Sequence, residues 1–281
     1  VGNIKDGGAL IICHRAYPVL ADAIKKRQGS ISVITYGHGA EPDAGNTVLG
    51  DYACHHRGYW ADNIELLEST ARFDVYYDDK SLGECRISIP GVYNVENALA
   101  AIAVARFAGL EYSQVFRALV GFHGAHRRFE LMGRRGDVLV YDDYAHHPTE
   151  IQNTLQAAKA GFGRRVVAIF QPQRYSRTKA FMQEFGRSFG DADLVVITDI
   201  FAPPPEVPIP GITAERLAGL IAADIGEDKV LYIGDKDEIA PKLVPLLKAK
   251  DLVITMGAGN IWQVAETIVA MEGSPQAFMG S

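Results

Sequence analysis

Cysteine, basic charge and long apolar runs are all scarce in this sequence. Cys13, Cys54 and Cys85 are the only cysteines in 281 residues. Their odd number, wide spacing and lack of a C-x-x-C pair argue against a disulfide scaffold, a thiolate zinc site and a dithiol redox centre, and fit the reducing cytoplasm. Lys plus Arg number 28 against 34 for Asp plus Glu, a net charge of -6. Such a surface repels a phosphate backbone, so no nucleic-acid partner is expected. No run reaches the roughly 18 apolar residues of a membrane span. The start, Val1-Gly-Asn-Ile-Lys-Asp6, has no basic region followed by an apolar stretch, so neither membrane insertion nor export is expected. G-x-x-x-x-G-K-[ST] is absent, which removes an intact phosphate-cradling loop. Gly257-Ala-Gly259-Asn260 lacks a third glycine at dinucleotide spacing, which argues against a nicotinamide site. The first residue is not Met, so the chain is expected to be processed or part of something longer.

What is present is an ordinary globular composition, 48% hydrophobic and 22% charged, in a chain long enough for one or two cores. The second half alternates short Val/Ile/Leu runs with stretches whose apolar residues recur at three and four. Strands are predicted at Asp137–Tyr141, Arg165–Phe170, Leu194–Thr198, Lys229–Ile233 and Leu252–Met256. Helices are predicted at Pro148–Ala160, Lys179–Phe189, Ala214–Ile225, Lys236–Lys248 and Asn260–Met271. Strand-then-helix units of this length predict a parallel, doubly wound sheet, with ligands beyond the carboxyl ends of its strands.

The first half has strand-like segments at Ala9–Cys13, Ser32–Tyr36, Thr47–Ala53, Arg72–Tyr77 and Cys85–Ile89, which predicts antiparallel or mixed pairing. A helix at Pro18–Arg27 interrupts them, and a buried pair, Asn94–Ala108 and Tyr112–Val120, closes this half. The Gly- and His-containing stretch Gly121–Arg128 marks the boundary, giving domains 1–124 and 125–281 of an α/β protein. Pro203–Gly211 reads as a stiff loop.

Chemistry concentrates after the predicted strands. Tyr141-Asp-Asp-Tyr-Ala-His-His-Pro-Thr-Glu150 supplies two carboxylates, a phenol and two imidazoles, and ends on a proline suited to a first helical position. A carboxylate there can accept both hydroxyls of a ribose, and the imidazoles with the helix amino terminus can hold an anion. A capping aspartate with solvated histidines fits the same residues. Arg174 and Arg177, in Phe170-Gln-Pro-Gln-Arg-Tyr-Ser-Arg-Thr178, can converge on a carboxylate or phosphate, or stand as loop charges. Arg127-Arg128 could reach a nucleotide phosphate. Asn94 and Asn97 open an apolar helix, where their amides can read an adenine edge or cap the helix. His55-His56 would point to opposite faces of a strand, which makes them a poor metal pair and better surface or turn residues.

Taken in order, Asn94-x-x-Asn97-Ala-Leu-Ala-Ala, Gly124-Ala-His-Arg-Arg-Phe129, Asp142-Asp-Tyr-Ala-His-His-Pro-Thr-Glu150, Phe170-Gln-Pro-Gln-Arg-Tyr-Ser-Arg-Thr178, Pro208-Ile-Pro-Gly211 and Gly257-Ala-Gly-Asn260 resemble the Mur ligases over nearly the whole chain. The two loops after strands are most like the branch that joins L-alanine to UDP-N-acetylmuramate. The murein-peptide-recycling branch shares a similar Asp-Asp-x-x-His-His-Pro loop. The resemblance implies a partial central ATPase domain followed by a Rossmann-like carboxy-terminal domain. It further implies that the UDP-binding domain, the phosphate loop and the main Mg2+ ligands lie upstream, with no metal ligand here.

The family reaction uses ATP to activate a carboxylate as an acyl phosphate in peptidoglycan precursor synthesis, before an amino acid amine displaces phosphate. By resemblance, Asn94 and Asn97 contact adenine, Asp143 the ribose, and Arg128 the phosphates. Tyr144, His146, Arg174 and Arg177 face the amino acid and the sugar-nucleotide carboxylate. Arg128, His146, Arg174 and Arg177 carry the catalytic roles. Tyr93, Ala145 and Gln173 depart from the family's usual His, Gly and His; Ala145 would be strained at a positive φ. The chain alone is expected to be inactive or nearly so, and Val1–Phe122 is expected to expose faces that lead to association or partial disorder. Two alternatives from other classes are a metal hydrolase built on Asp142, Asp143, His146 and His147, and a non-enzymatic nucleotide-binding or interaction module.

Overall fold

A computed structural model describes residues 1–26, 29–39 and 56–271. The chain divides into two compact units, Val1–His123 and Gly124–Ser281.

The first unit runs β1 (Ala9–Cys13), α1 (Tyr17–Lys25), β2 (Ser32–His38), β3 (His56–Leu67), β4 (Thr70–Tyr77), β5 (Lys80–Ile87), α2 (Val92–Phe107) and α3 (Tyr112–Val120). Its sheet has the order β1-β2-β3-β4-β5. The first three strands pair in parallel and the last three antiparallel, the mixed pattern that closely spaced strands predict. Alternation along β2 explains the layering: Val33 joins Ile12, Tyr17 and Ile24 of α1 on one face, and Ile34 joins Phe73, Leu99 and Ile102 on the other. Helix α2 buries Val95, Ala98, Leu99, Ile102 and Ala103.

Several expectations need correction here. The predicted strand Thr47–Ala53 and His55 lie outside the described residues. Strand β3, twelve residues long, was not predicted, because Asp62, Asn63 and Glu65 interrupt its apolar alternation at a bulge between Asp62 and Glu65. The helix pair is not uniformly buried: α3 buries only Val115, and Val104, Phe107, Leu110, Val120 and Phe122 are about half exposed.

The second unit runs β6 (Glu130–Arg135), β7 (Val138–Asp143), α4 (Pro148–Phe162), β8 (Val166–Phe170), α5 (Tyr175–Ala180), α6 (Met182–Gly186), β9 (Leu194–Ile197), α7 (Ala214–Ile225), β10 (Val230–Tyr232), α8 (Ile239–Leu243), β11 (Leu252–Met256) and α9 (Trp262–Ala270). The sheet order is β10-β9-β8-β11-β7-β6, parallel except for the β6–β7 hairpin at its edge. Leu139, Ala168, Phe170, Val195 and Ile254 pack against α4, α6 and α7; Val140, Val167, Ile169, Val196 and Val253 pack against α8 and α9. Apolar side chains on both faces are what continuous Val/Ile runs require.

Three predicted elements differ. Strand β7 continues through Asp142 and Asp143 instead of stopping at Tyr141. The helix predicted at Lys179–Phe189 starts at Tyr175 and breaks at Phe181 (φ -117). The helix predicted at Lys236–Lys248 is a short α8 flanked by 3-10 turns, since Pro245 has no N–H to continue it.

Candidate active site

Strand β11 lies between β7 and β8, so α4 crosses over it to connect them. The carboxyl ends of three adjacent strands therefore carry the segments after Asp143, Phe170 and Met256 side by side. In a doubly wound sheet this crossover crevice is where ligands bind.

Its floor is an ion-pair lattice. Asp142 is fully buried; its Oδ2 accepts from Arg127 Nε at 2.7 Å and its Oδ1 from Thr255 Oγ1 at 2.7 Å. Arg127 also donates to the carbonyls of Gly259 (2.9 Å) and Gly257 (2.6 Å), which ties the loop after β11 to β7. Gly257 also lets the loop close on the end of β8: at φ +147 an added Cβ would lie 2.8 Å from the Gln171 carbonyl. Arg127 is thus a structural residue, and the pair Arg127-Arg128 separates into one committed cation and one exposed one.

Asp143 is also buried. Its Oδ1 accepts from Ala145 N at 2.7 Å and its Oδ2 from Phe129 N at 2.8 Å. Burial pushes its carboxyl up to about 6, against the pull of those two amides and of Arg128. Neither aspartate caps α4. That role falls to His147, whose Nδ1 accepts from Thr149 N at 3.4 Å while Glu150 reaches back to the amides of His146 and His147 at 2.9 and 3.1 Å. His147 also packs on Phe181, ring centroids 4.6 Å apart. The three-residue spacing of His147 and Glu150 is that of a capping box. Asp142, Asp143 and His147 are therefore engaged with the protein itself, which removes the donor set of the metal hydrolase alternative. Among the described residues no three His, Cys, Asp or Glu side chains gather at metal-binding spacing.

What remains free lies above this floor. Tyr144 stacks near both cations, with Arg127 and Arg128 guanidinium carbons 5.2 and 5.7 Å from its ring centre. His146 meets Tyr144 edge-on, centroids 5.2 Å apart. Its Nδ1 lies 2.9 Å from the Tyr144 carbonyl and 3.3 Å from Glu150 Oε2, neither of which can donate, so Nδ1 carries a proton. Ala145 is buried but not at positive φ, so alanine introduces no strain there.

After β8, Arg174 is exposed and takes φ +66, its amide donating to Phe201 O at 2.9 Å. Arg177 NH1 bonds Gln173 Oε1 at 2.8 Å, a use for the residue that replaces the family's histidine. Gln171 Nε2 reaches Asn260 Oδ1 at 3.1 Å, and its buried Oε1 has no partner. Arg128, Asp143, Tyr144 and His146 thus form one group at the end of β7, and Arg174 with Arg177 stands at the end of β8, with β11 between them.

Asn94 and Asn97 belong to the first unit. Asn94 is buried and donates to Pro90 O at 2.6 Å; Asn97 donates to Asn94 Oδ1 at 3.3 Å. Asn94 therefore secures the start of α2. Both side chains also edge an apolar cleft of about 440 Å³ that continues along Ala98, Ala101, Leu119 and Phe122.

Comparison with known proteins agrees with these motifs. Residues 1–105 match the Mur ligase middle domain, and residues 127–259 match the Mur ligase, glutamate ligase domain. A UDP-N-acetylmuramate–L-alanine ligase of Symbiobacterium thermophilum is 47% identical over 269 residues, covering 95% of this chain and 52% of that protein. One from Geotalea uraniireducens is 48% identical over 209 residues, 74% of this chain and 45% of that protein. The crystal structure of the UDP-N-acetylmuramate-alanine ligase of Thermotoga maritima superposes with a TM-score of 0.63 at 26% identity, over 91% of this chain and 54% of that one. The chain spans about half the length of the curated relatives it matches. Two adjoining domain matches, the nearly chain-long identity to named ligases and the shared order of the strand-end loops place this chain in the Mur ligase family.

Proposed function

We propose that the chain is part of an ATP-dependent ligase that joins L-alanine to UDP-N-acetylmuramate in peptidoglycan precursor synthesis, its domains being residues 1–124 and 125–281. The observation that carries this reading is the group Arg128, Tyr144 and His146 after β7, with Arg174 and Arg177 after β8, at the carboxyl edge of the second sheet, in a chain whose named relatives are such ligases.

In the reaction, a muramoyl carboxylate oxygen takes the γ-phosphoryl group of ATP, and ADP leaves. The amine of L-alanine then adds to the acyl carbon, phosphate departs, and one amine proton is lost. Every reactant but the amine is anionic, so positioned cations supply most of what such a transfer needs. Arg128 is assigned to phosphate, and Arg174 and Arg177 to carboxylate. His146 Nε2 is assigned to take the amine proton, with Nδ1–H held by the Tyr144 carbonyl. Asn94 and Asn97 are assigned to the adenosine, beside an apolar cleft of about 440 Å³, and Asp143, buried with both carboxylate oxygens accepting backbone amides, to holding the loop that carries Tyr144 and His146. Mg2+, when bound, would neutralise charge on the triphosphate.

No helix among the described residues is long and apolar enough to cross a membrane. We assign the protein to the cytoplasm, where its nucleotide substrates would be. The half-exposed apolar side chains of α2 and α3 support self-association of the chain.

The test is phosphate release by the protein of the complete reading frame, with ATP, Mg2+, UDP-N-acetylmuramate and L-alanine. Turnover is expected to require all four, and His146→Ala to lower kcat roughly 10²-fold or more. The 281-residue chain alone is expected to give none. Turnover without L-alanine, or an unaffected His146→Ala variant, would defeat the reading.

A further inference from the structure

The loop that carries Arg174 and Arg177 is braced by a segment of about thirty residues' sequence separation. Phe201 N donates to Pro172 O at 2.8 Å, Arg174 N donates to Phe201 O at 2.9 Å, and Gln173 pairs with Phe201 as a parallel bridge. The chain then turns through Pro203-Pro-Pro205 and presents Glu206. Ser176, which lies between the two arginines, donates its hydroxyl to Glu206 Oε1 and its amide to Oε2 at 3.4 Å. Arg174 and Glu206, with Pro203, Val207 and Ile209, line a cleft of about 320 Å³.

We propose that Glu206 is a positioning residue: by accepting both donors of Ser176 it fixes the turn that aims Arg174 and Arg177, and so sets the affinity for the carboxylate they receive. This rests on the role given to those arginines under the proposed function. The physical case has three parts. Arg174 holds a left-handed backbone, which a non-glycine residue keeps only where its surroundings enforce it. The Phe201 carbonyl restrains that turn on one side and Glu206 on the other, two residues on. Three prolines fix φ just before Glu206, so the carboxylate is presented with little ordering left to do. The Ser176 hydrogen bond also draws the Glu206 carboxyl below its ordinary range, which keeps it an acceptor.

The experiment uses the protein of the complete reading frame. In Glu206→Ala, KM for L-alanine or for UDP-N-acetylmuramate is expected to rise roughly tenfold, the worth of one charge-assisted hydrogen bond, with KM for ATP unchanged. Ser176→Ala, which removes the hydroxyl but keeps the amide, should give part of that rise, the double variant should be no worse than Glu206→Ala, and Glu206→Gln, which keeps one acceptor oxygen, should also fall short of Glu206→Ala. Amide exchange at Ser176 should accelerate about fivefold or more in Glu206→Ala. Unchanged exchange, or effects of Glu206→Ala and Ser176→Ala that multiply, would overturn the clamp. Failure of the functional reading would be seen separately, as Arg174→Ala and Arg177→Ala variants with unaltered KM.

Discussion

Replacing Arg127 with Met tests the lattice beneath the site. Methionine keeps the apolar stem and a Cβ at the same left-handed backbone, φ +59, so the substitution removes the guanidinium alone. Asp142, with no exposed surface, would keep only the Thr255 hydroxyl, and the carbonyls of Gly257 and Gly259 would lose a donor each. Removing one partner of a buried ion pair costs about 3–5 kcal/mol, a large part of the ~5–15 kcal/mol that holds a domain together. With a urea dependence of about 2 kcal/mol per molar, the unfolding midpoint of the second unit should fall by about 2 M. The assay is direct because the sequence has two tryptophans, Trp60 in the first unit and Trp262 in α9. In a Trp60→Phe background, Trp262 fluorescence follows the second unit alone. Adding Asp142→Leu to Arg127→Met should restore at least half of the loss, because an uncompensated charge is more costly than an apolar replacement. A midpoint for Arg127→Met within about 0.3 M of its parent would refute the reasoning.

Asp143 gives a pH signature. Its folded value of about 6 lies above the ordinary 3.8, so the native state holds the proton more tightly between these limits. The stabilisation is complete below pH ~4 and is lost as pH rises through ~6, by up to about 3 kcal/mol. Asp143→Asn, which cannot ionise, should flatten that part of a urea-midpoint-against-pH curve; an unchanged slope would count against the assignment. Gly259→Ala would set a Cβ 2.3 Å from Gln171 Oε1 and 2.8 Å from the Phe201 ring, and should cost about 1–3 kcal/mol by Trp262 fluorescence. Ile102→Ala, in the buried face of α2, should cost about 2–5 kcal/mol in a transition followed by Trp60 and leave that of Trp262 in place.

The sequence by itself determined the elements whose signal is local. Continuous Val/Ile runs marked β8, β9 and β11, and three-and-four periodicity marked α4, α7 and α3, because burial on two faces or one stripe leaves that pattern in the residues themselves. The order of polar loops after those strands was enough to indicate the family. Strand β6 was not legible, since Glu130–Arg135 is an edge strand whose only apolar residues are Leu131 and Met132, and it is defined by its pairing with β7.

The tertiary structure alone decided how the polar residues divide their work. In the sequence Asp142 and Asp143, Arg127 and Arg128, and His146 and His147 are equivalent pairs. In the fold, Arg127 neutralises Asp142 and His147 caps α4, while Arg128 stays exposed and His146 is held through Nδ1 by the Tyr144 carbonyl and Glu150. Both aspartates lie inside the sheet because β7 runs two residues further than its apolar run. That division depends on Thr255, Gly257 and Gly259, more than a hundred residues away, and on Glu206 for the second pair of arginines. Burial of a charge is tolerated only where a distant partner is brought to it, and no local pattern in the chain records which partner that is.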